Sequence, residues 1–410
     1  MPEFLTVLPP DEALAKLFAH LPVNPPTEII STAQALNRIT AEEIRSPESL
    51  PAFPRSTMDG YAVRAQDTFG ASQSLPAYLT VVGEVPMGGA PTFNLHPTQA
   101  ALIHTGGMIP NGADAVVQIE VTQKSQADEI EVLKAVAPGE NVLQPGDDVA
   151  DGQTLFPRGH LLRPQDLGGL AALGFTRVAV GRRPRIALLA TGDEVVDPDS
   201  PVGPGQVRDI NSFSVSGLIE RAGGVAVRRG IASDNFESLR SAAESALAEC
   251  DGLVLSAGSS VSVRDMTADV INGLGRPGML VHGVAVKPGK PAILAVANGK
   301  PVIGLPGNPV SALVIADLFV VPMIYRLQGC TTTPARSSIR AKISHNLPSA
   351  TGRVDYTPAR LVWKDGEQWA EPVFGKSNQI FTLVFADGMI MTPRDSNGLS
   401  AGEMVEVRLF

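Results

Sequence analysis

Cysteine is nearly absent: Cys250 and Cys330 are the only two in 410 residues. So few thiols exclude a disulfide framework and a cysteine zinc site, and leave two small hydrophobes for the interior. His20, His96, His104, His160, His282 and His345 are scattered without ligand spacing, which argues against a histidine zinc centre. The longest apolar runs are interrupted before the roughly 20 residues of a membrane span, so no transmembrane helix is expected. The opening "MPEFLTVLPPDEAL" lacks the basic and apolar regions of a signal peptide, and the expected location is therefore the cytoplasm. Positive charge is also short: 33 Lys and Arg against 42 Asp and Glu give a net charge of -9. A general nucleic-acid binder needs a basic surface and is excluded, whereas an anionic small molecule would need local basic contacts. Several familiar chemistries lack their motif: there is no G-x-x-x-x-G-K-[ST] loop, no G-x-G-x-x-G after a strand, no G-x-S-x-G elbow and no H-E-x-x-H.

Glycine and proline, by contrast, are abundant, at 40 and 34 residues. A chain of 410 residues exceeds one core and predicts two to four domains. "PPDEALAKLFAHL" and "STAQALNRITAEEIRS" show helix-like spacing broken by proline, and predict a small helical and extended arm. From about Pro51 to Val142, short strand-like runs such as "AALIHTGGMI" and "ADAVVQIE" alternate with turn residues and predict a β-rich module. A helix is expected to begin near Pro164. At "RPRIALLATGDEVV" the period changes: apolar strands alternate with amphipathic helices as far as "PVSALVIADLFVVPMIYRL", which predicts a mostly parallel sheet covered on both faces. The remainder, from about Gly329, returns to strand-like runs and predicts a small β domain.

The unusual loops of the α/β region fall at strand ends, where such sheets bind ligands. In "ATGDEVV" a carboxylate after the strand can cap a turn, or it can hold hydrated Mg²⁺ beside a phosphate. In "LSAGSSVSVRDM" small residues permit close backbone approach, and Arg264 and Asp265 are expected to open a helix whose start suits a phosphate; Asp265 as a plain cap is the alternative. "VAVKPGKPAI" sets Lys287 and Lys290 on a tight turn, either as solvated decoration or as ligand contacts. "GLPGNPVSALVIA" puts glycines that allow close approach beside prolines that fix the backbone. Earlier, "FPRSTMDGYAV", "IHTGGMIPNGADAVV" and the acidic pair in "GDDVA" add Asp59, Thr105, Asp147 and Asp148.

Taken in order, "PAFPRSTMDGYAV", "HTGGMIPNGADAVV", "GDDV", "ATGDEVV", "VKPGKP" and "GLPGNPVSA" resemble the molybdopterin molybdenumtransferase family, which includes MoeA and the E domain of gephyrin, over essentially the whole chain. The resemblance implies an α/β multidomain fold. It comprises an elongated N-terminal domain split into 1–50 and 146–182, an inserted β-rich module at 51–145, a MogA-like doubly wound domain at 183–328 and a C-terminal β barrel at 329–410. It implies that adenylylated molybdopterin is bound and its phosphoanhydride cleaved in a Mg²⁺- and molybdate-dependent step. Metal then enters the dithiolene and AMP leaves; tungstate is as suitable by size and charge. Matched motif by motif, Asp59, Thr105, Asp148, Glu194, Asp234 and Asp265 resemble the wall that handles Mg²⁺ and oxyanion, with Glu194 and Asp265 as metal ligands. Ser256, Gly258, Ser259, Ser260, Ser262, Lys287, Lys290, Pro306, Gly307, Asn308, Pro309 and Ser311 resemble the pterin and phosphate contacts, and Arg353 and Ser377 would reach them from the last domain. A homodimer with sites shared between subunits is implied, as is a MogA-type adenylyltransferase as supplier. Two departures stand out. Ser259, Ser260 and Arg264 replace small or flexible positions of the family's "SGGVSVG", and Gly283 stands where some members carry a lysine. Two other functions suit parts of this pattern: a MogA-type adenylyltransferase, which would lack the first and last domains, and a non-catalytic pterin-binding scaffold.

Overall fold

A computed structural model describes residues 7–22, 24–257 and 261–410, with 261–264 described by backbone alone. The chain divides into two compact units, Glu43–Pro157 with Gly168–Phe175, and Met1–Glu42 with Arg158–Leu167 and Thr176–Phe410.

The smaller unit is built on a six-stranded sheet. Its order is Ala115–Gln118, Gly60–Val63, Gln99–Ile103, Ala77–Glu84, Glu129–Val132 and Thr122–Gln126, antiparallel except where 77–84 meets 99–103. Alternate side chains leave opposite faces of a strand, and here both faces are buried: Tyr61 and Val63 enter one core, and Ala62 enters another with Ala101 and Ile103. That is why "GYAV" reads as an unbroken apolar run.

The larger unit begins with a helix, Pro10–Phe18, whose Ala13 and Leu17 are buried. The helical expectation for "STAQALNRITAEEIRS" is corrected, because only a 3₁₀ turn forms there, at Thr32–Gln34. Tertiary hydrogen bonds override the local spacing: Asn37 turns at φ 59°, and the N–H groups of Asn37, Thr40 and Ala41 donate to Leu162, His160 and Ala179. A helix does start at Pro164, as expected, and runs to Ala172.

The α/β region forms a second six-stranded sheet, ordered Val225–Ala232, Arg185–Thr191, Gly252–Ser256, Lys300–Leu305, Ile293–Ala297 and Pro277–His282. The first four strands are mutually parallel and the last two antiparallel. Ile186 and Leu188 face one core with Val215 and Ile219, while Ala187 and Leu189 face the other with Leu239 and Ala243. Helices therefore cover both faces, as the buried continuous strands require. Pro309–Leu327, the stretch "PVSALVIADLFVVPMIYRL", is a continuous 19-residue apolar helix with a π turn at Ala316–Val320. Its length and composition would suit a membrane span, but 72% of its most apolar window is buried against the protein, where Ile315 and Phe319 join the sheet core.

The final strands close on themselves. Val354–Lys364 pairs with Glu367–Pro372, then in turn follow Ser338–Ile343, Met404–Leu409 and Gly388–Thr392, which pairs back to 354–364. The result is the expected C-terminal barrel. A short strand from the α/β region, Val286–Lys287, adds to it in parallel with Val354 and Asp355. This pairing carries a lysine of the "KPGKP" turn to the barrel wall.

Candidate active site

The three parallel strands at the centre of the α/β sheet end side by side, since Ala190 is the register partner of Ser256 and Ser256 that of Leu305. The chain passes from 185–191 out to 225–232 and then back across to 252–256, so strand order reverses at Thr191 and Ser256. A crevice beyond the strand ends at such a reversal is the usual ligand position. Ser256 and the Gly307 carbonyl are joined there by the buried side chain of Asn211, which donates to them at 2.9 and 2.8 Å. The Asn211 Oδ1 has no partner among the described residues. Gly304 is needed for packing: a Cβ there would lie 3.1 Å from Ile271 and from Ile293. Pro309 takes the first helical position, and Asn308 leaves its cap role unused, donating instead to the Ser377 hydroxyl at 3.0 Å.

Beside this edge lies a cavity of about 790 Å³, lined by Lys287, Lys290, Pro306, Asn308, Ser311, Arg353 and Ser377. Seven residues from four separate stretches of the sequence are thus brought together, at a volume suited to a cofactor-sized ligand. Lys376 adds a fourth cation and Phe374 an exposed aromatic face. Among the described residues the only acidic side chain on this wall is Asp355, which is buried; it accepts from Arg353 Nε at 2.8 Å and lies 3.7 Å from Lys287 Nζ. In a chain of net charge -9, this pocket is locally cationic.

The "TGDE" loop lies at the end of the 185–191 strand. Thr191 donates to Asp234 at 2.7 Å, and the backbone N–H of Asp234 donates to Asp193 at 3.1 Å, which ties the loop after 225–232 to the loop after 185–191. Gly192 has φ 142°, and a Cβ there would lie 2.8 Å from a Glu194 carboxylate oxygen. Asp265 does not open its helix as expected. The helix begins at Val261, which puts Asp265 in the second turn and exposed. Among the described residues, no three His, Cys, Asp or Glu side chains converge as a ready metal cage. Gly258, Ser259 and Ser260 lie outside the described residues, as do the side chains of Ser262 and Arg264.

In the smaller unit, the "STMDG" and "HTGG" turns are laced together: Ser56 N–H donates to Gly107 O at 2.9 Å and Gly106 N–H to Ser56 O at 2.8 Å. One oxygen of Asp59 accepts the Thr105 N–H at 2.7 Å and its hydroxyl at 3.1 Å. The Thr105 N–H, then its hydroxyl, hold the Asp59 carboxyl below its ordinary range, with a lesser contribution from His104 and against a small opposing effect of burial. His104 Nε2 lies 3.0 Å from Glu84. Asp147 caps its turn by accepting from Gln144 N–H, which leaves the Asp148 carboxylate exposed.

A doubly wound sheet carrying a cationic strand-end cavity, with a β barrel supplying part of its wall, defines an α/β protein equipped to bind an anionic small molecule. Residues 8–174 match the family described as MoeA N-terminal region (domain I and II), residues 187–326 a probable molybdopterin binding domain, and residues 340–410 the MoeA C-terminal region (domain IV). The chain is 34% identical to a molybdopterin molybdenumtransferase of Haemophilus influenzae over 98% of both chains. It is 32% identical to the protein of that name from Bacillus subtilis, over 100% of this chain and 96% of the other. The crystal structure of a molybdopterin biosynthesis moeA protein from Pyrococcus horikoshii superimposes with a TM-score of 0.84 at 30% identity, covering 99% and 100% of the two chains. The chain belongs to the MoeA family of molybdenum cofactor biosynthesis.

Sequence reasoning missed Asp355, Asn211, Phe374 and Lys376. Asp355 stands two residues from Arg353 in "TGRVDY", and this closeness of opposite charges along the chain was an available signal. The other three become visible only once distant segments meet.

Proposed function

We propose that this protein is a molybdopterin molybdenumtransferase, which cleaves adenylylated molybdopterin with release of AMP and inserts molybdate at the dithiolene. The observation that carries this reading is the cavity that holds Lys287, Lys290, Lys376 and Arg353 against, among the described residues, a single carboxylate, that of Asp355, a wall suited to a polyanion. In the reaction, Lys287, Lys290 and Arg353 bind the bridging phosphates, and their charge offsets the negative charge that builds on the departing AMP phosphate. Asn308 and Ser377 fix the pterin side, and Phe374 offers a face for a ring to stack upon. Thr105 orients Asp59, which with Asp148 manages the oxyanion.

Glu194 and Asp265 would hold Mg²⁺, with Asp234 steadying the loop beside Glu194. Mg²⁺ is normally held by one or two carboxylates together with substrate phosphates and waters, so two hard oxygen donors that follow the neighbouring strands 185–191 and 252–256 fit this ion without a preformed cage. When bound, it would neutralise phosphate charge. Molybdate and tungstate are both admitted as substrates, since they differ little in size and charge. The proposed setting is the cytoplasm, with a MogA-type adenylyltransferase supplying the adenylylated pterin and a homodimer as the working form. Incubating purified protein with adenylylated molybdopterin, Mg²⁺ and each oxyanion tests the reading: AMP should appear only when metal ion and oxyanion are both present. Equal AMP release without any oxyanion would refute it.

A further inference from the structure

Asp355 is an anomaly in a pocket that the proposed function dedicates to anions. Its carboxylate is 8% exposed, whereas the Lys287 side chain it faces is 58% exposed and that of Arg353 is 38%. A carboxylate removed from water persists only if it is paired, and this one has two cationic partners in the same cavity. Its position comes from the fold. Asp355 lies on the barrel strand that pairs on one side with Val286–Lys287 and on the other with Gly388–Thr392, opposite Lys287 and Thr392 respectively. Arg353 stands two residues earlier, just before that strand begins, and its Nε donates to the Asp355 carboxylate at 2.8 Å. One buried group therefore touches a cation from the α/β loop and a cation from the barrel.

We propose that Asp355 is the positioning residue of the anion site, holding Lys287 and Arg353 together so that both address one phosphate group. This rests on the reading of the cavity as the phosphate pocket. Long cationic side chains lose much rotamer freedom when they grip a ligand, and a fixed carboxylate between them removes part of that cost beforehand. The same carboxylate also opposes an incoming anion by its charge. Substitution by a neutral residue mixes the two effects, and a single variant would mislead.

Two neutral variants separate them. Asp355→Asn removes the charge and keeps an acceptor oxygen where Arg353 Nε donates; Asp355→Ala removes both. The pair carry the same charge, so the electrostatic change cancels between them and the difference reports positioning alone. Titration of inorganic pyrophosphate by calorimetry should show Asp355→Ala binding about tenfold more weakly than Asp355→Asn, the equivalent of one charge-assisted hydrogen bond at the low end of its range. In AMP release, Asp355→Ala should raise KM more than it lowers kcat, and Asp355→Glu should recover most of the loss. Equal pyrophosphate affinity in the two neutral variants overturns the inference. Should the alanine variant fail to fold, Asp355→Ser, neutral and too short to span to both cations, makes the same comparison with the same expected order. Lys287→Ala is the companion measurement: if it leaves pyrophosphate binding unchanged, the phosphate pocket itself is misassigned, whereas if it weakens binding while the neutral pair agree, only the role of Asp355 falls.

Discussion

Asp59 and Thr105 are joined twice, by a backbone N–H at 2.7 Å and a hydroxyl at 3.1 Å that converge on a single carboxylate oxygen. Both bonds favour the ionised form, so Asp59 stays charged to a lower pH than an ordinary aspartate. The sign follows: what these bonds contribute is present above the unfolded-state value and is lost as pH falls through the lowered one. Thr105→Val keeps the N–H and removes the hydroxyl. AMP release should fall by roughly two- to tenfold at neutral pH, as for one hydrogen bond. The acid limb of the pH profile should also move upward, yet not fully to that of an unassisted carboxylate. An unmoved acid limb would separate Asp59 from the chemistry.

Lys287 tests the pocket from the other side. Its Nζ is held near Asp355 yet stays mostly exposed, so truncation leaves the barrel intact and removes one point charge. Lys287→Ala should weaken binding of the adenylylated pterin by about 1.5–3 kcal/mol, the range for a charge-assisted contact, and should affect Mg²⁺ binding less. Calorimetry with each ligand measures the two separately.

Much of this architecture was legible because it is periodic. The buried strand "RIALLAT" and the helix before Gly223 obey simple spacing, and the β-rich and α/β regions follow from where that spacing changes. What was hidden is tertiary. "STAQALNRITAEEIRS" has helical spacing but spends its donors on Leu162, His160 and Ala179, which no local rule reveals. The helix start at Val261 likewise lies earlier than "RDM" suggested, and with it the setting of Asp265 changed. Of the candidate site, the strand-end loops could be read directly because sheet topology forces them to one edge. Arg353 and Ser377 could be assigned only by resemblance, because the pairing of 286–287 with 354–355 and the Asn308–Ser377 hydrogen bond, which bring them to this wall, are long-range contacts.

A stability prediction lies away from the active site. Asp166, 4% exposed, is desolvated by burial, but bonds from Arg163 and His160 outweigh that penalty and bring its pKa down from 3.8 to about 2. A depressed carboxylate contributes stability above its unfolded value that disappears as pH falls through its folded one. Asp166→Asn should therefore cost about 2 kcal/mol at neutral pH. The gap between variant and wild type should narrow from about pH 4 down to about pH 2, the window between those two values. Urea unfolding across that range checks it; a gap independent of pH would assign the loss to packing instead.

The final prediction concerns assembly. The candidate carboxylates are divided between the two compact units, with Asp59 and Asp148 in 43–157 and Glu194, Asp234 and Asp265 in the larger one. Resemblance to the family implies a two-fold dimer in which the inserted module of one subunit completes the α/β site of the other. In a symmetric dimer each site then draws on both chains. Asp59→Ala and Asp265→Ala should each be nearly inactive as homodimers. In a mixed dimer one site collects both lesions and the other neither, so activity should return to about half of wild type per dimer. Separately tagged chains, co-purified and assayed for AMP release beside both parents, measure this. If sites are built within one chain, each site of the mixed dimer keeps one lesion and activity stays at the parental level. Recovery therefore distinguishes sharing between chains from completion within one, and a mixed dimer that folds and binds pterin yet remains inactive would show that the two carboxylates serve the same chain.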